Sequence, residues 1–177
     1  FRSGLASDAM LADKAVLITN LLDSMPYQVF ATSSIDAMVH SAESFLSPNG
    51  CSISRLFSSE ALKLILTCWD KVVKEGGEEA WKRYAAEFLE ASNWAGLGFG
   101  YAGCAAVHAC AYPLGSVYHI PHGQSNQLMF QDVMKMYKKL CPDGRINELE
   151  ALIAESLHVT PDTSLEKIGR ASCRERV

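Results

Sequence analysis

Three of the five histidines lie in one mostly apolar stretch, VHACAYPLGSVYHIPHG, which spans residues 107–123. Upstream, the segment SSIDAMVHSAE places Asp36 and His40 four residues apart, so both side chains share one face of a helix. Asp36, His40, His108 and His122 together offer one carboxylate and three imidazoles. Such a set suits a four-coordinate Fe²⁺ or Zn²⁺ with room for a substrate oxygen, and suits Mg²⁺ or Ca²⁺ poorly. These residues are therefore candidates for a divalent metal site.

Each of the four residues also has a simpler interpretation. Taken alone, Asp36 and His40 are typical of an ion pair or hydrogen bond on a helix surface. His108 is typical of a core histidine with its hydrogen bonds satisfied, and His122, just before Gly123, of a turn or capping residue. The apolar neighbours of Asp36 indicate a mostly buried helix, in which a carboxylate needs a partner or a metal. Spacing alone leaves both interpretations open.

The elements that must position these residues are helical. Apolar residues recur at i, i+3, i+4 and i+7 through most of the chain, which predicts an all-α bundle. One short apolar run, KAVLI at residues 14–18, predicts a strand left from an upstream domain. The Ala- and Gly-rich segment at residues 101–115 favours a buried helix, since small residues allow close helix packing. The predicted helices cover residues 27–47, 52–77, 78–100, 101–115, 124–140 and 145–157.

Composition excludes several classes of protein. The 177 residues suffice for one domain, and a net charge of −4 without a basic stripe argues against a nucleic-acid partner. No apolar window is long enough to span a membrane. Six cysteines without a C-x-x-C pair predict reduced thiols in a cytoplasmic protein, not a disulfide framework or a zinc knuckle.

Both ends of the sequence favour a gene fragment. The chain starts without an initiator Met. Its last ten residues, IGRASCRERV at 168–177, are identical to one translated frame of a common short-read sequencing adapter. We expect this tail to be an assembly artefact, and it is left out of the fold prediction.

Three motifs carry a resemblance to a known family. DAMVHSAESFLSP (36–48), ASNWAGLGFGYAGCAAVHACAYPLG (91–115) and YHIPHGQSN (118–126) resemble successive motifs of the iron-containing (group III) alcohol dehydrogenases. The similarity covers residues 4–167 in order, and its finer features are closest to the branch of NAD-dependent 4-hydroxybutyrate dehydrogenases. The resemblance implies that Asp36, His40, His108 and His122 are the metal ligands.

The resemblance also implies a fold, cofactors and partners. Residues 1–25 would end an N-terminal α/β domain, and residues 26–167 would form a truncated helical metal-binding domain of the dehydroquinate synthase-like type. The implied cofactors are Fe²⁺, with Zn²⁺ as the alternative, and NAD(H). No glycine-rich dinucleotide loop is evident, so most of the cofactor site would lie in the missing domain and the fragment alone would be inactive. Small alcohols and aldehydes would be the substrates, and the protein would be a dimer.

Three further residues are candidates near the site. Tyr112 stands where many family members have a histidine, four residues after the third ligand, and either carries a hydroxyl toward the site or packs before Pro113. His119 either orients a ligand or faces solvent from a loop. Phe99 either lines a substrate pocket or belongs to the core.

The functional prediction is the interconversion of 4-hydroxybutyrate and succinate semialdehyde. Two alternatives stay open: a short-chain alcohol dehydrogenase of the same family, and a non-catalytic helical metal-binding module.

Overall fold

The computed structural model describes residue 10 and residues 12–174. The described residues are helical, as the sequence predicts, and their α-helices pack around a shared apolar core. Short 3₁₀ turns at Thr19–Leu22, Gly77–Glu79 and Trp81–Tyr84 join some of them. The α-helices are α1 (Tyr27–Leu46), α2 (Ser52–Lys74), α3 (Ala85–Ala102), α4 (Ala106–Tyr118), α5 (His122–Leu140), α6 (Ile146–Leu157) and α7 (Pro161–Arg174).

The predicted strand at residues 14–18 is wrong. These residues have no regular secondary structure, and the part of the chain that the structure describes contains no strand. A strand needs a neighbouring strand to pair its backbone N–H and C=O groups, and helices cannot offer one. The side chains of Val16, Leu17 and Ile18 are accordingly 78%, 44% and 50% exposed.

The predicted chain ends are described only in part. Residues 1–9 and 11, within the expected remnant of an N-terminal domain, lie outside the described residues. Residues 175–177 of the expected adapter tail do as well. The part of that tail that is described continues α7, which runs from Pro161 to Arg174.

Two helices end at other residues in the structure than the sequence predicts, and a glycine explains each difference. The helix predicted at residues 101–115 is divided, because α3 runs on to Ala102 and Gly103 then adopts a positive φ of 75°. A side chain would strain the backbone there, so glycine suits the break before α4. Likewise α2 ends at Lys74, just before Gly76 with a φ of 112°.

Helix α1 lies at the centre of the fold and packs against α2, α3 and α5, while α4 packs against α5. The core near the start of α1 is aromatic: the Phe30 ring stacks on Trp81 at 4.2 Å and meets Phe88 edge-on at 4.8 Å. Trp69 and Trp94 are partly buried against this core. This arrangement brings the start of α4, which carries His108, and the start of α5 to the middle of α1.

Small residues let α1, α2 and α3 approach closely. A Cβ atom at Gly98 of α3 would lie 2.3 Å from the Ser58 Oγ of α2. Ser58 in turn lies 2.7 Å from the Ser44 Oγ of α1, and both hydroxyls are buried. Among the described residues, no helix has both the length and the apolar character needed to cross a membrane.

Candidate metal centre

Three of the four predicted ligands converge in space. Asp36 of α1, His108 of α4 and His122, the first residue of α5, each present one donor atom, and these atoms lie within 4.8 Å of one another. Asp36 Oδ1 is 3.6 Å from His108 Nε2 and 3.6 Å from His122 Nε2. The side chains of His108, Asp36 and His122 are 3%, 21% and 38% exposed, so the cluster is closed on the α4 side and open beside His122.

The ring nitrogen His108 Nε2 is the clearest indication of a metal-binding role. It is buried and has no hydrogen-bond partner, since 3.6 Å to Asp36 is too long for a hydrogen bond. An unsatisfied buried polar atom costs free energy unless something binds it. One carboxylate and two imidazoles facing a common point are a donor set that Fe²⁺ and Zn²⁺ accept. The residues present therefore fit a divalent ion.

His40, the fourth predicted ligand, lies beside this cluster. Its ring stacks on the His108 ring, with centroids 4.5 Å apart and planes 13° apart. On its other side the ring contacts Phe99 at 4.5 Å. Its nitrogens are not among the three mutually close donor atoms. Phe99 and His40 together form a wall beside His108.

Glu43 is a functional residue that the sequence analysis missed. It lies seven residues after Asp36 on α1 and is 0% exposed. Its Oε2 accepts hydrogen bonds from the Ala105 N–H at 3.0 Å and from His108 Nδ1 at 2.6 Å, and its Oε1 accepts one from the Val107 N–H at 2.6 Å. The i+7 spacing in DAMVHSAE, which returns to the helix face of Asp36 and His40, is the signal that identifies it.

Asn126 was missed as well. It lies one turn after His122 on α5 and is 0% exposed. Its Nδ2 donates to Asp36 Oδ1 at 2.6 Å and is 3.3 Å from His122 Nε2. Because a carboxylate only accepts hydrogen bonds, the amide nitrogen must face Asp36. Asn126 thus fixes the orientation of the Asp36 carboxylate.

The electrostatics of the cluster favour a cation. Burial opposes a charge on His108, yet the carboxylates of Asp36 and Glu43 outweigh it and raise the pKa of His108 to about 9. Burial also opposes a charge on Asp36 and Glu43. The nearby His108, with the hydrogen bonds that Asn126 donates to Asp36 and that His108 and the α4 backbone donate to Glu43, nevertheless lowers the pKa of both carboxyls. For His40 burial dominates and lowers the pKa, which favours the neutral ring.

The remaining predicted residues lie at different distances from the cluster. The Tyr112 ring is 53% exposed and stacks beside His122, with centroids 6.2 Å apart, and burial together with the Cys104 thiol raises the pKa of its hydroxyl. His119 is exposed at the C-cap of α4 with a φ of 56°, and no described hydrogen bond or ring contact joins it to the three donors.

Comparison with known proteins agrees with this geometry. The family model for Fe-containing alcohol dehydrogenases, C-terminal, matches residues 30–171. The chain is 40% identical over 173 residues to 4-hydroxybutyrate dehydrogenase from Clostridium kluyveri, which covers 96% of this chain and 45% of that protein.

Solved structures share the fold. An iron-containing alcohol dehydrogenase from Thermococcus thioreducens matches with a TM-score of 0.77 at 20% identity, over 94% of this chain and 43% of that chain. Sulfoacetaldehyde reductase from Bifidobacterium kashiwanohense in complex with NAD+ matches with a TM-score of 0.69 at 22% identity, over 87% of this chain and 40% of that chain. The chain thus spans somewhat less than half the length of these proteins. The resemblance seen in the sequence motifs is confirmed, and the chain belongs to the Fe-containing alcohol dehydrogenase family, whose C-terminal part it matches.

Proposed function

We propose that this chain is the metal-binding part of a longer dehydrogenase that interconverts an alcohol and an aldehyde with NAD(H). The observation that carries the proposal is the convergence of Asp36, His108 and His122 around a buried, unpartnered ring nitrogen. Membership of the Fe-containing alcohol dehydrogenase family supports it. A non-catalytic metal-binding module is disfavoured, because the relatives that the chain matches over most of its length have dehydrogenase names.

The proposed metal ligands are Asp36, His40, His108 and His122. His40 belongs to this set because its neutral ring lies directly against His108. The family description favours Fe²⁺, and Zn²⁺ is the alternative because the same donors accept it.

The residues around the donors have distinct parts in the proposed reaction. When bound, the divalent ion supplies a Lewis acid for the substrate oxygen, and the nicotinamide donates or accepts the hydride. His108 and Glu43 close the buried side of the cluster against water. Substrate approaches from the open side, beside the partly exposed His122 and the ring of Tyr112. Phe99 supports His40 from behind, and its edge is available to an apolar part of the substrate.

The proposed substrate pair is 4-hydroxybutyrate and succinate semialdehyde. The 40% identity to the Clostridium kluyveri protein over 96% of this chain supports this choice. Among the side chains that the structure describes, no hydrogen bond or ion pair brings an Arg or Lys to the three donors. Arg55 donates to the Ser47 carbonyl, and Lys63 pairs with Glu60. We therefore place the cation that binds the substrate carboxylate in the rest of the protein.

The domain organisation is part of the same proposal. Residues 1–25 would connect to an N-terminal α/β domain that holds most of the NAD(H) site, residues 26–167 would form the metal-binding domain, and residues 168–177 would be the adapter-derived tail. The lengths of the matched relatives, more than twice the matched region, support a further domain. The dimeric state and the cytoplasmic location stay predictions.

The test uses the complete reading frame, purified and loaded anaerobically with Fe²⁺. NADH oxidation is followed with succinate semialdehyde and with butanal, and kcat/KM is compared for the two aldehydes. The expected preference for succinate semialdehyde is about tenfold or more, which corresponds to about 1.4 kcal/mol of transition-state discrimination. The His108→Ala variant is the control: it should lose the metal and the activity while keeping its helical circular dichroism signal.

The outcomes test the substrate assignment and the ligand assignment separately. Equal rates with the two aldehydes contradict the substrate assignment and leave a short-chain alcohol dehydrogenase. Full metal content in His108→Ala contradicts the ligand assignment.

A further inference from the structure

Glu43 is a buried carboxylate that ties α1 to α4, which are two of the three helices that carry the proposed ligands. It projects from α1, two turns beyond Asp36, and receives three hydrogen bonds from the start of α4: from Ala105 N–H, Val107 N–H and His108 Nδ1. No solvent reaches it, since its exposure is 0%. A carboxylate that accepts three hydrogen bonds away from solvent is fixed strongly in one orientation.

Helix α4 depends on this carboxylate for its N-terminus. Its own N-cap residue is Ala105, which has no side-chain oxygen to bond to the free backbone N–H groups. Those N–H groups otherwise need a capping side chain, usually from the N-cap residue itself. Glu43 replaces that cap from a different helix, and its negative charge also suits the positive end of the helix dipole.

The same carboxylate determines which nitrogen of His108 faces the donors. An ionised carboxylate can only accept, so Nδ1 of His108 must carry the hydrogen at 2.6 Å from Oε2. A neutral imidazole with hydrogen on Nδ1 has its lone pair on Nε2. That atom is the buried, unpartnered nitrogen 3.6 Å from Asp36.

We propose that Glu43 is the positioning residue of the metal centre: it caps α4 and holds His108 by Nδ1–H so that Nε2 is presented to the metal. This inference rests on the proposed function, because it takes Asp36, His108 and His122 to be ligands. A partner of this kind for a ligating histidine typically changes metal affinity by about 10- to 100-fold. Glu43 itself is not a ligand, since both of its oxygens are occupied by donors from α4.

The test compares Zn²⁺ affinity, measured by competition with a chromophoric chelator, in the wild-type protein, Glu43→Gln and Ser47→Ala. Glutamine has the same shape but offers one acceptor oxygen to three donors, so the Zn²⁺ affinity should fall by about 10- to 100-fold. Ser47→Ala is the matched control. Its buried hydroxyl, at the C-cap of α1, donates to the Ala102 carbonyl at 2.7 Å, so it also removes a cross-helix hydrogen bond but touches no ligand. It should lower the melting temperature and leave the Zn²⁺ affinity within about twofold.

A second measurement works on the wild-type protein alone, should Glu43→Gln fail to fold. In the Zn²⁺-loaded protein labelled with ¹⁵N-histidine, long-range proton–nitrogen correlation spectra report which ring nitrogen of His108 carries hydrogen. Hydrogen on Nδ1 and metal on Nε2 support the inference; metal on Nδ1 overturns it.

The outcomes also separate this inference from the proposed function. If the wild-type protein does not bind Zn²⁺ or Fe²⁺, the proposed metal centre fails and the inference fails with it. If the wild-type protein binds Zn²⁺ and Glu43→Gln binds it equally well, the metal centre stands and the positioning role of Glu43 is overturned.

Discussion

Gly123 of α5 lies directly against the backbone of Thr32 in α1. A Cβ atom at position 123 would be 2.0 Å from the Thr32 carbonyl oxygen and 2.7 Å from its carbonyl carbon. Both of these are backbone atoms, which cannot move aside as a flexible side chain can. Glycine at this position therefore allows the close contact of α1 and α5 that brings His122 to Asp36.

We expect Gly123→Ala to push the start of α5 away from α1. Overpacking of this kind typically costs about 1–3 kcal/mol in the free energy of unfolding. The same displacement separates His122 and Asn126 from Asp36, so Zn²⁺ affinity should fall together with stability. Urea unfolding of the metal-free protein and chelator competition measure the two effects.

Gly96→Ala is the matched control for this change. Gly96 lies in α3, and a Cβ atom there meets nothing within 4 Å. Alanine in an open helical position should stabilise the protein by about 0.5–1 kcal/mol and leave metal affinity unchanged. A Gly123→Ala protein as stable as the wild type contradicts the proposed role of the close contact.

The sequence predicts the α1 half of the site well, because helix periodicity is local information. The spacing of Asp36 and His40 places them on one face without any knowledge of the fold, and the same rule extends to Glu43. His108 and His122 are harder to place, since their meeting with Asp36 depends on how α4 and α5 pack against α1. That packing depends on contacts such as Gly123 against Thr32, which no periodicity reveals.

The strand prediction at residues 14–18 failed for a related reason. An apolar run of five residues fits a strand as well as an irregular segment, and only a partner strand decides between them. The described residues form helices and contain no strand that could pair with this segment. Local pattern thus predicts which residues share a helix face, whereas tertiary partners decide whether a short segment has regular structure.

Asn126→Ala should leave the orientation of the Asp36 carboxylate less well fixed. The change removes the donor at 2.6 Å from Asp36 Oδ1 and leaves a partly buried carboxylate without that hydrogen bond. Loss of a partner of this kind should weaken metal binding by about 10-fold or more. Chelator competition with Zn²⁺ measures the effect.

Asn126→Asp is a second test of the contact between residue 126 and Asp36. It keeps the shape of the side chain but places a second carboxylate against Asp36, and the two charges repel. A divalent ion offsets this repulsion, so Zn²⁺ should raise the melting temperature of Asn126→Asp more than that of Asn126→Ala. Equal gains for the two variants contradict direct contact between residue 126 and Asp36.

The pKa of His108 predicts how stability depends on pH in the metal-free protein. In the folded protein this pKa is about 9, whereas an ordinary histidine has a value of 6.5. The fold thus favours protonated His108, which contributes to the free energy of unfolding. This contribution is fully present below pH 6.5, declines as the pH rises, and is lost above pH 9. Its upper limit is about 3 kcal/mol, since each pKa unit corresponds to about 1.4 kcal/mol.

Urea unfolding of the metal-free protein between pH 6 and pH 9.5 measures this dependence. His108→Gln is the reference, because it cannot take up a proton and should lose this part of the slope. Zn²⁺ must displace the proton from His108, so its apparent affinity should rise with pH by up to about tenfold per unit until pH 9. A wild-type slope identical to that of His108→Gln contradicts the raised pKa.

Tyr112 can act through its ring or through its hydroxyl, and the two are separable. The ring stacks beside His122 at 6.2 Å, whereas the pKa of the hydroxyl is raised by burial and by the Cys104 thiol. Tyr112→Phe keeps the ring, so metal affinity should not change, and the largely exposed side chain makes a stability change above about 0.5 kcal/mol unexpected. Tyr112→Ala removes the ring beside His122 and should weaken Zn²⁺ binding.

The pH profile of kcat in the complete, Fe²⁺-loaded enzyme then decides whether the hydroxyl transfers a proton. If Tyr112 is the general acid or base, Tyr112→Phe should lower kcat by about 10²-fold or more and remove one limb of the profile. Because burial and the Cys104 thiol raise the pKa of the Tyr112 hydroxyl above its usual value, the hydroxyl is a poor proton donor near neutral pH, and we expect instead a profile of unchanged shape with kcat close to that of the wild type. A lost limb in Tyr112→Phe with normal metal content contradicts this expectation and shows that the hydroxyl transfers a proton, which makes Tyr112 a catalytic residue.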